Sequence, residues 1–144
     1  MAKRLLIIGG VLNTIFFLFH IQLGYQIHHL TQVSSSHRAL MEALNGAGVL
    51  FIFFFAYVSF FHAEELIETG LGRIVLALVA VLYLSRAAEE FFLFAFTPLV
   101  FGSCLLVGAL YVALFTLALQ QVQKPATYRE AEPRTKPPEQ RRAA

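Results

Sequence analysis

Charge is scarce in this sequence. Of its 144 residues, 14% are charged and 58% are hydrophobic. A soluble domain of this length needs far more polar surface, so the composition excludes an ordinary water-soluble globule. Cysteine is nearly absent: Cys104 stands alone, which excludes an intrachain disulfide and leaves a small packing residue. No Cys and His occur at the close spacing of a structural zinc site, and no Glu-x-x-His pair suits a di-iron centre. Glycine-rich phosphate loops, nucleophile motifs and nucleic-acid modules are missing too. Nucleic acid is therefore not an expected partner. With no nucleophile–base arrangement, an enzyme is the least supported class.

What is present is long apolar runs. Four of them, about Leu5–Ile27, Leu44–Phe61, Ile74–Phe96 and Leu99–Leu119, are long enough to cross a hydrocarbon core of roughly 30 Å, which takes about 20 helical residues. Lipid cannot satisfy backbone N–H and C=O groups, so each span is expected to be helical. None alternates with period two, as a barrel strand would. The expected fold is all-α: a polytopic membrane protein with a four-helix transmembrane bundle over residues 1–123, followed by a cytoplasmic tail over 124–144.

Orientation follows from Lys and Arg. Lys3 and Arg4 precede the first span, Arg73 lies between the second and third, and six more basic residues follow the fourth. The other side carries only Arg38 and, near the end of the third span, Arg86. Both termini are thus expected in the cytoplasm (N-in, C-in). The first span begins like a signal peptide, but its apolar run is too long and no small-x-small site follows, so it reads as a retained helix.

Three connections have local signals. Ser34 to Ser36 suit a helix start, so the second helix should begin outside the membrane and project by about two turns. Gly70 and Gly72, in the loop "HAEELIETGLGR", suit the end of one helix and a turn. Thr97–Pro98 is the expected corner between the last two helices, because a residue before proline avoids the helical region. Ala39, Ala43 and Ala47, joined by Gly46, recur every four positions, as do Ala109 and Ala113. Such spacing lets another helix approach closely.

The polar residues inside the apolar runs are the candidates for function. Under the expected topology His20, His28, Asn45, Arg86, Glu89 and Glu90 converge on the outer half of the bilayer. Asn13, Phe17, His20, Gly24 and Thr31 share one stripe on the first helix, and Tyr83, Arg86, Glu89 and Glu90 one arc on the third. Arg86 and Glu90, four apart, can pair on one helix. An ionised group at mid-bilayer costs about 2.5–3.5 kcal/mol on insertion scales, so such groups face the protein and pair. Arg86 with two glutamates leaves one carboxylate over. Hence His20, Glu89, Glu90 and His28 are candidate ligand or metal residues, and Arg86, Asn45, Asn13 and Tyr83 a structural polar network. A metal ion is one candidate for completing the group. A purely structural ion pair stands beside it, with His20 bonded to Asn45 or to a glutamate across the bundle. A bis-histidine haem between His20 and His62 fails, because their depths differ by roughly 15 Å.

The stretches "GGVLNTIFFLFH", "ALN", "ELIETGLGR" and "LYLSRAAEEF" resemble a family of small uncharacterised bacterial four-helix membrane proteins, a likeness that covers roughly Gly9 to Phe94. The resemblance implies a bacterial cytoplasmic (inner) membrane protein and supplies no activity.

Three functions compete. The first is a non-enzymatic accessory or structural subunit of a larger membrane assembly, with other membrane subunits or further copies of itself as partners. The second is a metal or small-ligand binding protein built on the outer His/Glu/Arg layer. The third is a proton or ion pathway, weakened because Asn13 and Thr14 are the only evident polar steps in the inner half of helices one, three and four. The first is favoured. The tail from Lys124 has too little apolar surface to fold alone, and its six basic residues suit anionic lipid or a partner. Truncation after Gln123 should therefore leave a folded, inserted four-helix core with weaker attachment to anionic vesicles. Loss of protease-protected helices in that truncation would count against the division.

Overall fold

The computed structural model describes residues 2–92 and 96–122. Within them every element is helical, in the order α1 (Ala2–His28), α2 (Ser35–Phe61), α3 (Ala63–Glu68), α4 (Gly70–Phe92) and α5 (Pro98–Val122). Four of these, α1, α2, α4 and α5, are long and apolar enough to cross a membrane. At 1.5 Å per residue, the 27 residues of α1 reach about 40 Å, more than the hydrocarbon core requires. The expected all-α four-helix membrane fold is the observed one. The tail from Lys124 lies outside the described residues.

The helices pair as two antiparallel hairpins, α1 against α2 and α4 against α5. The α4 seam consists of Gly72, Leu76, Val79, Ala80, Tyr83, Ala87 and Glu90, all buried. Its α5 counterpart is Cys104, Val107, Tyr111, Leu114 and Ala118. Steps of three and four residues keep both stripes facing each other over several turns, the geometry of shallow-angle helix packing. Outward-facing positions stay apolar, as Ile15, Leu18, Leu50, Ile74, Val81 and Leu106 show. In water such surface would drive aggregation; in a bilayer it is the solvated face.

Helix starts follow the local chemistry. Ser34 has extended backbone (φ −61°, ψ 152°), and its hydroxyl accepts the N–H of His37, which caps α2. Pro98 takes the first position of α5, where its missing N–H costs nothing, and Phe101 N–H bonds the Thr97 carbonyl at 3.0 Å. Both starts match the sequence. His28 pairs with Glu42 across the hairpin, so the seven α2 residues from Ser35 to Met41 overhang α1.

The connection between α2 and α4 is different. The glycines do not end a helix: both lie in the first turn of α4, and no described glycine has positive φ. The chain instead breaks at His62 (φ −121°, ψ 31°), runs one and a half turns as α3, and turns at Thr69 (φ −96°, ψ 156°). The Thr69 hydroxyl donates to the Glu65 carbonyl at 2.8 Å and accepts the Gly72 N–H at 2.9 Å. One side chain thus closes α3 and caps α4. The α3 helix lies over the end of the bundle and buries Leu66 and Ile67 in the core with Leu6, Leu76 and Leu114.

Gly72 is required by close approach. A Cβ there would sit 2.2 Å from the Glu65 carbonyl oxygen and 2.4 Å from Leu66 Cα, both backbone atoms. By contrast a Cβ at Gly102 would meet nothing within 4 Å. Gly72→Ala should therefore lower stability by about 1–3 kcal/mol or more, while Gly102→Ala should raise it by up to about 1 kcal/mol through helix propensity. Unfolding titrations of the two variants in mixed detergent read the opposite signs.

Candidate functional site

Two polar centres lie inside the bundle. The deeper one draws a side chain from each long helix. Tyr83 Oη of α4 donates to Asn13 Oδ1 of α1 at 2.7 Å. Asn13 Nδ2 donates to Tyr111 Oη of α5 at 2.9 Å and to the Gly9 carbonyl at 2.8 Å. Tyr111 Oη lies 2.7 Å from Ser59 Oγ of α2, completing the set. All four residues are buried. Both amide hydrogens of Asn13 and its oxygen are engaged, so the knot is satisfied from within. Gly9 makes it possible, because a Cβ at that position would stand 2.8 Å from the Tyr111 oxygen.

The sequence pointed to Asn13 and Tyr83 and missed Ser59 and Tyr111. Each is a hydroxyl within an apolar run, and neither run marks it out: Tyr57 lies two residues from Ser59, and Thr116 five from Tyr111. Phase on a single helix does not reveal which hydroxyls meet.

The second centre is the predicted outer layer, and it divides into separate pairs. Arg86 Nη2 bonds Glu90 Oε1 at 2.7 Å, the i,i+4 pair expected on α4. Glu90 is only 2% exposed, and its other oxygen accepts the Thr97 N–H at 3.1 Å. One carboxylate therefore neutralises Arg86 and holds the corner that leads into α5. The surplus acid is Glu89: it lies 3.7 Å from Arg86 Nη1, and its side chain is 43% exposed. It turns toward the surroundings.

His20 does not pair with a glutamate. Its Nδ1 lies 3.0 Å from Asn45 Oδ1, and Asn45 Nδ2 donates to the His20 carbonyl at 3.0 Å. The two residues form a closed ring of bonds between α1 and α2. Gly24 admits the amide, since a Cβ there would lie 2.9 Å from Asn45 Nδ2. His28 sits two turns further along and pairs with Glu42 at 3.0 Å on an exposed surface. His29 bonds the Tyr25 carbonyl, and His37 the Ser34 hydroxyl. The candidates His20, His28, Glu89 and Glu90 thus occupy separate places. Among the described residues, no three His, Cys, Asp or Glu side chains group to hold a metal ion. The residues assigned to one structural network form three: Asn13 with Tyr83, Asn45 with His20, and Arg86 with Glu90.

At the opposite end an open cleft of about 300 Å³ is lined by Lys3, Phe60, His62, Glu64 and Glu65, among others. Its polar groups already pair: Lys3 with Glu64, and His62 with Glu65 at 2.7 Å. The hydrogen bond and charge of Lys3 hold the Glu64 carboxyl below the ordinary carboxylate range. These pairs staple α1 and α2 to α3 at the surface, where each is worth little.

No protein family, curated protein or solved structure matches the chain.

The Arg86–Glu90 pair gives a signed prediction. Arg86→Leu leaves Glu90 buried without its cation. The expected loss is ~2 kcal/mol, below the ~3–5 kcal/mol of a fully buried pair, because the Arg86 side chain is partly exposed. Adding Glu90→Gln removes the stranded charge and retains an acceptor for Thr97. The double variant should therefore unfold at higher denaturant than Arg86→Leu alone. Equal stabilities would show that the pair is not an electrostatic one.

Proposed function

We propose that this protein is a non-enzymatic subunit of a larger membrane assembly, in a bacterial cytoplasmic membrane with both termini inside. The observation that carries the reading is the direction of the small-residue face on α2. Ala39, Ala43, Gly46 and Ala47 are all exposed, and a Cβ at Gly46 would meet nothing within 4 Å. Inside this chain α2 packs mainly on α1, so the close approach that small residues permit is unused on its other side. A helix of another subunit fits that face. The interior offers it no competition, since the Asn13 knot is satisfied from within and Arg86 has Glu90. The orientation rests on the basic residues Lys3, Arg4 and Arg73 at the end shared by the N-terminus and the α2–α4 connection.

The test is the mass of the particle. Purified in mild detergent from its own membranes, the protein should run as a complex larger than 16.1 kDa plus micelle. Ala43→Leu with Gly46→Leu should release the free subunit without unfolding it, because these side chains would project away from the bundle. A single-chain mass for the unmodified protein, or a complex that survives both leucines, would count against the proposal.

A further inference from the structure

The ring of bonds at His20 fixes the chemistry of its free nitrogen. The His20 main-chain carbonyl can only accept, so Asn45 must present Nδ2 to it and Oδ1 to the imidazole. An amide oxygen has no hydrogen to give. Nδ1 therefore carries the proton, and in the neutral ring Nε2 holds a lone pair. Among the described residues Nε2 has no hydrogen-bond partner, and it is not sealed inside the protein. His20 lies eight residues before the end of α1, about 12 Å along the axis. With α1 about 10 Å longer than the hydrocarbon core, that places the nitrogen roughly 7 Å inside it. Water and phosphate are scarce at that depth.

We propose that His20 Nε2 is the docking point for the hydroxyl of a lipophilic phenol or quinol that enters from the bilayer. An acceptor nitrogen selects an O–H head over a quinone or ester carbonyl, which would need a donor. Among the described residues no three metal-binding side chains group here, and a single imidazole nitrogen is too few ligands for a free metal ion. An aromatic head is favoured by Phe19, whose ring meets the imidazole edge-on at 5.7 Å. Asn45 serves as a positioning residue that holds the tautomer, as the carbonyl partner of a ligating histidine does.

The experiment is solid-state NMR of the full chain, labelled with ¹⁵N-histidine, in lipid bilayers. Without additive, His20 should show a protonated Nδ1 and a bare Nε2. Decylhydroquinone should move the Nε2 resonance upfield in a saturable way and leave Nδ1 protonated. Its dimethyl ether, equally lipophilic but without O–H groups, should not. Asn45→Leu should weaken the response about five-fold or more, the worth of one ordinary hydrogen bond, and His20→Phe should abolish saturable binding. An Nε2–H tautomer in the unmodified protein, no response to the hydroquinone, or an equal response to the ether would overturn the proposal. So would a haem Soret band that depends on His20, since it would assign the lone pair to a metal.

Discussion

The amide of Asn13 is the constraint on which the bundle depends. In a bilayer neither water nor lipid tails can bond it, and apolar helix faces gain little by choosing one register over another. A buried asparagine changes that balance. Its oxygen and both hydrogens are engaged only when Tyr83 and Tyr111 stand at the same depth, with Ser59 beyond. Sliding any long helix by one turn would strand at least one polar group in hydrocarbon. The knot thus converts two hairpins that would pack in many ways into one arrangement.

Packing elsewhere follows from that fixed level. On one side of the knot, α2 stops at Phe61 and α3 brings Leu66 and Ile67 over the end of the bundle. This closure needs Gly72, because α4 and the α3 backbone touch there. On the other side Glu90 ties Arg86 to the corner before Pro98, which sets where α5 begins. Asn45 binds α2 to α1 at His20 without involving α4 or α5. The polar groups form independent ties at different depths, and each has its own structural consequence.

Legibility in the sequence divides along the same line. The four spans, the Ser34 cap, the Pro98 corner and the Arg86–Glu90 pair could all be read, because each rests on hydropathy or on residues within four positions of one another. The division of the outer layer could not. The expected topology puts His20, Glu89 and Glu90 at one depth, yet depth does not say which neighbour a helix turns toward, and His20 turned to α2. Ser59 and Tyr111 were missed for the same reason. The α3 helix escaped notice because six residues with two buried apolar side chains resemble a polar loop until the core they cover exists.

By itself the sequence determined that this is a membrane protein of four helices, since the cost of unsatisfied backbone in hydrocarbon acts on each segment separately. The tertiary structure alone decided which polar groups meet, where α2 breaks, and that His20 turns to Asn45. Those outcomes depend on contacts between residues up to 98 positions apart, as in the Asn13–Tyr111 bond. No local pattern of charge or periodicity encodes such a contact, because it exists only when the helices are already in place.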